Sequence, residues 1–327
     1  MSIFHLKPIK KIKIKKKIKK KEDKKEDEKE LVDLDEEGNL QENEEKKDIK
    51  SNKKDYSFKI IATIIIGGII VLSCIFIGKK YVTMNHIELI VTDNYDEMSQ
   101  KAGSIIAELV KKNPNAILGL ATGSTPIGTY NELIKRYKNK DISFKNITTY
   151  NLDEYCDLNQ NHPQSYFTYM YEHLFKHIDI NLANTHIPKG EGDSELNSKN
   201  YENMLNKNKI NLQILGVGGN GHIGFNEPGT HFDMGVHLVQ LHNKTIRDNA
   251  RFFENDINKV PKKAITMGIK NILNAETIVL MANGTNKADA IKNVMSGIVD
   301  INIPVTALNI HKGKVYIIVD KKAASKL

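Results

Sequence analysis

The stretch that most constrains the fold runs from residue 212 to residue 228 and has the sequence LQILGVGGNGHIGFNEP. It opens with six almost wholly apolar residues, 212–217, which suit a strand buried on both faces of a parallel sheet. Glycine lets a backbone turn tightly and lets a ligand approach it closely. Five glycines fall within nine residues here: Gly216, Gly218, Gly219, Gly221 and Gly224. Because open α/β sheets bind ligands beyond the carboxyl ends of their strands, we expect a binding loop after this strand.

Three side chains of this loop can do chemistry or form hydrogen bonds, namely Asn220, His222 and Glu227. The imidazole of His222 can give and take protons near neutral pH. The residues alone leave a second interpretation open, an ordinary strand-to-loop turn with His222 on the surface. The loop is not a dinucleotide-binding fingerprint, because no helix with a clean apolar face follows it and Pro228 interrupts the segment.

Strand-like and helix-like segments alternate from Met84 to the C-terminus. Apolar residues recur at helical spacing over 96–112, and short apolar runs on either side predict strands. Further helices are predicted from 126 to about 138 and over 163–178, 247–255 and 286–296, and strands over 87–91, 116–121, 147–152, 212–217, 277–282, 305–308 and 315–320. This alternation predicts an α/β fold with a doubly wound, mostly parallel, Rossmann-like sheet in three layers.

Three more motifs join the glycine-rich loop: LATGSTPIGTY at 120–130, NLDEYCDL at 151–158 and TIRDNARFF at 245–253. Together, and in this order, the motifs resemble the glucosamine-6-phosphate deaminase/isomerase family, over residues 84–327. The resemblance implies an enzyme of amino sugar breakdown, which converts D-glucosamine 6-phosphate and water to D-fructose 6-phosphate and ammonia. It also implies a small sugar phosphate as the ligand and no metal or other cofactor.

The motif ATGSTPIGTY is predicted to form the phosphate end of the site. A strand over 116–121 runs into Gly123, Ser124 and Thr125, and Pro126 then suits the first turn of a helix. Free backbone N–H groups and the helix dipole favour an anion at such a turn. The same residues also fit a plain Ser/Thr helix cap. The resemblance favours phosphate binding, because this loop holds the substrate phosphate in the family.

Two cations match the family's phosphate partners, Arg251 in NARFF and Lys287 in GTNKADA. The planar guanidinium of Arg251 could contact two phosphate oxygens, and Lys287 would add a point charge. Taken alone, each is more typical of a solvated surface charge, because Lys and Arg are mostly exposed. Arg247, four residues before Arg251, is the alternative to it.

Asp153 follows the predicted strand 147–152 and is the candidate for proton transfer at the reacting end. Its neighbour Glu154 would point elsewhere, and a helix cap or surface acid is the alternative for Asp153 itself. The resemblance implies that Asp153 moves a proton between C2 and C1 of the opened sugar. It assigns His222 to ring opening, Glu227 to orienting His222, and Asn220 to a nearby hydrogen bond.

Asn220 marks a departure, because some members of the family carry Asp at this position. Asn cannot ionise, so it cannot stabilise an imidazolium as a carboxylate does. Two other functions stay open: a 6-phosphogluconolactonase-like hydrolase of the same superfamily, and a sugar-phosphate sensor without turnover. The occurrence of NLDEY together with FNEP argues against the hydrolase, and the intact Asp153, His222 and Glu227 argue against the sensor.

The positive charge of the chain does not indicate a nucleic-acid partner. Residues 1–83 hold 21 lysines and 15 acidic residues, so they contribute six of the eight net positive charges. The remainder is nearly neutral, and a basic patch is the feature that nucleic acids require. The histidines show no tight ligand spacing with Cys or carboxylates, which predicts no metal site.

The first 83 residues have a different character. Residues 1–59 are rich in Lys and Glu with few apolar residues, which predicts a disordered tail. Residues 60–78 are nineteen uncharged, mainly apolar residues, long enough for a transmembrane helix that would tether the enzyme. Residues 84–327 form the predicted catalytic domain. The homo-oligomeric state stays open.

The lysines before this span outnumber those after it, so the positive-inside rule would place the catalytic domain outside the cell. A sugar-phosphate enzyme has its substrate in the cytoplasm, which is where we expect the domain. Three explanations remain: the span inserts the other way round, the extension is an unrelated membrane segment joined to the enzyme, or translation starts at Met84. The sharp join at Met84 favours the last two.

Overall fold

The computed structural model describes residues 86–241, 246–247 and 250–327. The predicted tail (1–59), the predicted membrane span (60–78) and Met84 lie outside the described residues. In the part of the chain that is described, no helix has both the length and the apolar character needed to cross a membrane.

Most strands form one parallel sheet at the centre of the molecule. In chain order the strands are β1 (Ile87–Thr92), β2 (Ile117–Leu120), β3 (Thr148–Asn151), β4 (Asp153–Tyr155), β5 (Thr185–His186), β6 (Leu212–Leu215), β7 (His237–Gln240), β8 (Lys263–Thr266), β9 (Thr277–Ala282) and β10 (Lys314–Asp320). The described residues give a seven-stranded sheet in the order β1-β10-β9-β6-β2-β3-β5, with every pair parallel. The other three strands form a small antiparallel sheet in the order β4-β8-β7. The mostly parallel sheet that the sequence predicts is confirmed.

Helices pack against this sheet. They are α1 (Tyr95–Lys112), α2 (Ile127–Lys138), α3 (Tyr166–His173), α4 (Ser194–Lys207), α5 (Ile269–Leu273) and α6 (Ala288–Met295). The first of them shows why such segments are helical: Asn94 Oδ1 accepts a hydrogen bond from the amide of Glu97, which caps the N-terminus. Met98, Ala102 and Ile106 then recur four residues apart on the buried face. Burying a side chain such as Ile106 stabilises the fold by about 1.5–3 kcal/mol.

The strand order creates a crevice between β2 and β6. From β2 the chain moves outward to β3 and β5, and it then returns to β6 on the other side of β2 before continuing to β9 and β10. Loops that leave two adjacent strands in opposite directions open a gap at the carboxyl ends of those strands, and this gap is where open α/β sheets bind ligands. The loop after β2 and the glycine-rich loop after β6 both begin there.

Two predicted elements differ from the structure, one of them completely. Residues 305–308 lie within a 3₁₀ helix, Pro304–Ile310, and do not form a strand. A short, fully buried apolar run looks the same in a strand and in a buried helix, and Pro304 sets the backbone angle that begins the turn. Of the helix predicted over 247–255, the described residue Arg247 is α-helical and Ala250–Phe252 form a short 3₁₀ helix, so this prediction is right only in part. Glu254 and Asn255 have φ of 56° and 61°, a left-handed conformation that ends any helix.

Candidate active site

The glycine-rich loop after β6 holds its three polar side chains in one hydrogen-bonded group. Asn220 Oδ1 lies 2.7 Å from His222 Nδ1. Asn220 Nδ2 donates to Glu227 Oε2 at 2.8 Å, and Glu227 Oε1 lies 3.5 Å from His222 Nδ1. The amide and the carboxylate therefore both face the same ring nitrogen, which orients the imidazole and leaves its Nε2 for a ligand.

Gly218 allows this arrangement. Its amide donates to the carbonyl oxygen of His222 at 2.9 Å, so the loop folds back on itself. A Cβ atom added at residue 218 would overlap the His222 ring. Only glycine therefore fits here, because the backbone and the imidazole occupy the space that a side chain needs.

The surroundings of His222 keep its ring neutral. Burial lowers the pKa of His222, the charge of Lys287 lowers it further, and Glu227 acts in the opposite direction. Lys287 lies on a short 3₁₀ helix, Thr285–Lys287, after β9, and burial lowers its own pKa. Gly219 packs closely against this turn, since a Cβ there would meet the carbonyl oxygen of Asn286 at 3.1 Å. The turn that carries Lys287 thus packs against the glycine-rich loop that carries His222.

Asp153 is the second candidate for proton transfer, and the small sheet brings it to the same loop. It is only 7% exposed and pairs with Thr266 across the β4–β8 ladder. Thr266 Oγ1 accepts a hydrogen bond from the Phe225 amide at 3.2 Å, and a Cβ at Gly224 would lie 3.4 Å from Asp153 Oδ2. Burial raises the pKa of Asp153 to about 8, with a further contribution from the neighbouring charge of Glu154. Such a carboxyl exchanges a proton near neutral pH.

Glu154 points away from this group, as the sequence predicts. Its carboxylate accepts hydrogen bonds from the amides of Tyr166 at 3.0 Å and Phe167 at 3.1 Å, the first two residues of α3. It also accepts one from the Tyr155 amide at 2.9 Å. Burial raises the pKa of Glu154 to about 7, although these hydrogen bonds act to lower it. The buried acid therefore caps a helix.

The predicted phosphate end follows β2. Gly123 has φ of +96°, a conformation that side chains disfavour. Ser124 is exposed, and Thr125 Oγ1 donates to Asn283 Oδ1 at 3.4 Å, in the loop after β9. Pro126 immediately precedes α2, so the loop ends at a helix N-terminus. These residues lie at the carboxyl end of β2, next to the strand that leads into the glycine-rich loop.

Residues 92–317 match the family described as glucosamine-6-phosphate isomerases/6-phosphogluconolactonase. The chain belongs to this family. A Clostridium botulinum (strain Langeland) protein named glucosamine-6-phosphate deaminase is 49% identical over 241 residues, which are 73% of this chain and 98% of that protein. A Clostridium novyi (strain NT) protein of the same name is 51% identical over 236 residues, 72% of this chain and 97% of that one. A solved structure of a monomeric glucosamine-6-phosphate deaminase is 42% identical, with a TM-score of 0.71, over 73% of this chain and all of that one.

For this member of the family, the structure brings most of the predicted site residues to one edge of the sheet. Arg251 is different: it is exposed on the 3₁₀ helix that follows residues 248–249, which lie outside the description. Its contact with phosphate stays a prediction.

Sequence reasoning did not predict that Glu154 caps α3, or that the hydroxyls of Tyr95 and Tyr169 contact the loop after β2. A helical apolar pattern assigns such tyrosines to the core, and their hydroxyl contacts depend on tertiary structure. The sequence contained one signal for Glu154: an acid directly beside the candidate Asp153 raises the pKa of Asp153 whichever way its own side chain points.

Proposed function

We propose that the chain is a glucosamine-6-phosphate deaminase, an enzyme that converts D-glucosamine 6-phosphate and water to D-fructose 6-phosphate and ammonia. The observation that carries the proposal is that a buried Asp153 on β4 lies beside the glycine-rich loop on which Asn220 orients His222. The two clostridial relatives named glucosamine-6-phosphate deaminase support it, because the chain spans nearly their whole length.

In this proposal the loop after β2 binds the substrate phosphate. The backbone amides of Gly123, Ser124 and Thr125 and the Ser124 hydroxyl donate to its oxygens, at the positive end of α2, and the Thr125 hydroxyl joins them by exchanging its bond to Asn283 Oδ1 for the phosphate. Lys287 and Arg251 supply the opposite charge. The sugar then extends over the crevice toward the glycine-rich loop, where the reacting carbons C1 and C2 lie.

His222 opens the sugar ring by passing a proton between O5 and O1. A neutral imidazole can accept one proton and return another, and the depressed pKa of His222 keeps it neutral at pH 7. Asn220 and Glu227 orient the ring through Nδ1. Because Asn220 is uncharged, Glu227 supplies the negative charge that stabilises a transient imidazolium.

Asp153 takes the proton from C2 of the open-chain sugar and delivers it to C1. The aldose becomes a ketose-level imine, and water then hydrolyses the imine to fructose 6-phosphate with loss of ammonia. A carboxyl with a pKa of about 8 is suited to this step, since it is a stronger base than an ordinary aspartate. The chain's own groups perform each proton transfer, and the proposal assigns no cofactor.

Outside the described residues we propose the organisation that the sequence predicts. Residues 1–59 are a charged, disordered tail, and residues 60–78 are one membrane-spanning helix that tethers a cytoplasmic catalytic domain, 84–327. The doubly wound, three-layer arrangement of that domain, and the site roles above, are part of the same proposal.

The first test is release of ammonia and fructose 6-phosphate from glucosamine 6-phosphate by the wild-type chain and by the Asp153→Ala variant. We expect turnover by the wild type and none by the variant, while both bind the substrate. Hydrolysis of 6-phosphogluconolactone without ammonia release would favour the lactonase, and binding without either reaction would favour the sensor. An active Asp153→Ala variant would remove the proposed mechanism.

A further inference from the structure

Two tyrosine hydroxyls contact three successive carbonyl oxygens of the loop after β2. The hydroxyl of Tyr169, on α3, donates to the carbonyl oxygen of Gly123 at 2.6 Å. The hydroxyl of Tyr95, the first residue of α1, lies 3.0 Å from the carbonyl oxygen of Ser124 and 3.1 Å from that of Thr125. It shares its one hydrogen between them, as three-centre bonds do.

These contacts fix the direction of two amide groups. The described backbone has no cis peptide bond, and in a planar trans peptide the C=O of one residue and the N–H of the next point in opposite directions. With the carbonyls of Gly123 and Ser124 turned toward the phenols, the amides of Ser124 and Thr125 point away from them. Neither amide donates to another backbone group among the described residues, so both remain available to an anion.

The phenols are themselves held in place. Tyr169 belongs to the helix whose first amides are capped by the buried Glu154. The Tyr95 oxygen also accepts a hydrogen bond from the Gly128 amide at 2.8 Å, in the first turn of α2. Burial raises the pKa of Tyr169, and nearby Tyr95 raises it further, so the phenol remains a hydrogen-bond donor at any physiological pH.

We propose that Tyr95 and Tyr169 are positioning residues that hold the loop in its phosphate-binding conformation before the ligand arrives. The inference rests on the proposed function, which makes phosphate the ligand of this loop. If the peptide groups of this loop could rotate, some conformations would point carbonyl oxygens at the phosphate. Ordering the loop on binding would then carry an entropic cost that weakens affinity. The two tyrosines remove that cost, and they touch neither the phosphate nor the reacting carbons.

The test uses Tyr169→Phe, Tyr95→Phe and the double variant in the full-length chain, each of which loses only hydroxyl oxygens. Tyr171→Phe is the matched control, because Tyr171 lies on the same helix and is 38% exposed. Calorimetry with inorganic phosphate gives a Kd that does not depend on turnover. Steady-state kinetics with glucosamine 6-phosphate then separate KM from kcat, and glucosamine serves as a substrate without phosphate.

We expect Tyr169→Phe to weaken phosphate binding and to raise KM by roughly 3- to 10-fold, the effect of losing one hydrogen bond, at nearly constant kcat. Tyr95→Phe should do the same and also lower the melting temperature, since the Gly128 amide loses its acceptor. Turnover of glucosamine should not change. A merely structural role would lower the thermal stability of these variants and leave the ratio of kcat/KM for glucosamine 6-phosphate to kcat/KM for glucosamine unaltered.

The inference is overturned if the wild type binds phosphate and turns over its substrate, while the double variant has the same Kd and KM. That result leaves the proposed function standing. If the wild type turns over glucosamine 6-phosphate but binds no inorganic phosphate, this inference fails alone. If it neither binds phosphate nor turns over glucosamine 6-phosphate, the proposed function and this inference fail together.

Discussion

At the scale of single residues, Asp153 makes a prediction about stability and pH. Its pKa in the folded chain is raised to about 8, mainly by burial, so the folded state disfavours the charged form. The stabilising effect of the protonated form is complete below the unfolded pKa near 4 and is lost as the pH rises through about 8. Asp153→Asn cannot ionise, so we expect it to be more stable than the wild type by about 2–4 kcal/mol at pH 8.5 and similar to it at pH 4. Urea unfolding at the two pH values measures this.

The same variant should lose activity. Removing a proton-transfer group lowers kcat by roughly 10²- to 10⁴-fold. In the wild type, kcat/KM should rise with pH as Asp153 ionises, with a midpoint near the pKa of about 8. Asp157→Asn is the control for both stability and kcat/KM, since Asp157 is an exposed acid four residues after Asp153. Equal stability of Asp153→Asn and wild type at both pH values would contradict the raised pKa.

Asn220 makes a second prediction, about the charge on His222. A carboxylate in place of the amide would lie about 2.7 Å from the ring nitrogen, where an opposite charge favours the imidazolium. We therefore expect Asn220→Asp to raise the pKa of His222 by roughly one unit. The new carboxylate would also lie next to Glu227, which accepts a hydrogen bond from Asn220 Nδ2 in the wild type. Repulsion between the two carboxylates limits the rise in the pKa of His222. NMR titration of the His222 ring proton measures the change.

Asn115→Asp provides the comparison for that substitution, because Asn115 is exposed and precedes the opposite end of β2. It adds the same charge far from His222. A His222 titration that is identical in wild type and Asn220→Asp would show that the hydrogen bond between the two side chains does not form in solution.

The polar residues of the glycine-rich loop could be predicted because they lie close together in the sequence. An eight-residue span holds Asn220, His222 and Glu227, so the local motif nearly determines their contacts. Asp153 is brought to this loop by its pairing with Thr266, which is over a hundred residues away, and no local pattern specifies that pairing. The tyrosine contacts with the phosphate loop depend on tertiary structure in the same way.

At the scale of secondary-structure elements, Glu154 and α3 form one unit. Replacing Glu154 by Ala leaves the amides of Tyr155, Tyr166 and Phe167 without their acceptor. Because those amides are partly buried, we expect a loss of about 2–3 kcal/mol in the free energy of unfolding. Glu154→Gln keeps an acceptor oxygen, so it should cost roughly 1 kcal/mol or less. Chemical denaturation with matched m-values checks both numbers.

The two variants also separate capping from charge. Glu154→Gln removes a negative charge that raises the pKa of Asp153, so the rise of kcat/KM should move to lower pH. Glu195→Ala is the matched control, since Glu195 is an exposed acid in the first turn of α4. We expect Glu195→Ala to change neither the pH profile nor the stability by more than about 0.5 kcal/mol. A Glu154→Ala variant as stable as wild type would show that the hydrogen bonds to Glu154 do not stabilise α3 beyond its Ser165 cap.

Elements with a strong, uninterrupted pattern were predicted well, and those that depend on tertiary contacts were not. The strand predicted over 277–282 coincides with β9, whose residues are almost all buried. The helix α4 was not predicted, because only Ser198, Tyr201 and Leu205 are buried on it and its apolar periodicity is weak. The small sheet was also missed: β7 and β8 are four residues each, too short to stand out before their partner strands are known.

At the scale of the whole molecule, the strand order unites the two halves of the site. The phosphate loop leaves β2 and the glycine-rich loop leaves β6, two neighbours whose connections run in opposite directions. The sequence predicts this parallel architecture from its alternating elements, but the adjacency of β2 and β6 is a property of the topology. All proposed site residues also lie within residues 92–317, the part of the chain that the family match covers.

This organisation predicts that a chain beginning at Met84 is a complete enzyme. It retains every proposed site residue and the whole of the family match, so we expect its kcat and KM for glucosamine 6-phosphate to lie within about twofold of the full-length values. The proposed membrane helix has nineteen uncharged, mainly apolar residues, enough for a bilayer core of about 30 Å. Full-length protein should therefore sediment with membranes, and the Met84 form should stay in the supernatant.

A full-length variant with Ile66→Arg and Ile70→Arg separates membrane insertion from other effects of the extension. Two charges at the centre of the span each oppose insertion by about 2.5–3.5 kcal/mol, so this variant should remain in the supernatant with unchanged turnover. Equal turnover of all three forms, with sedimentation of the wild type alone, would establish a tethered enzyme. Wild type that stays in the supernatant would contradict the proposed span, and a slower Met84 form would show that residues 1–83 contribute to the catalytic domain.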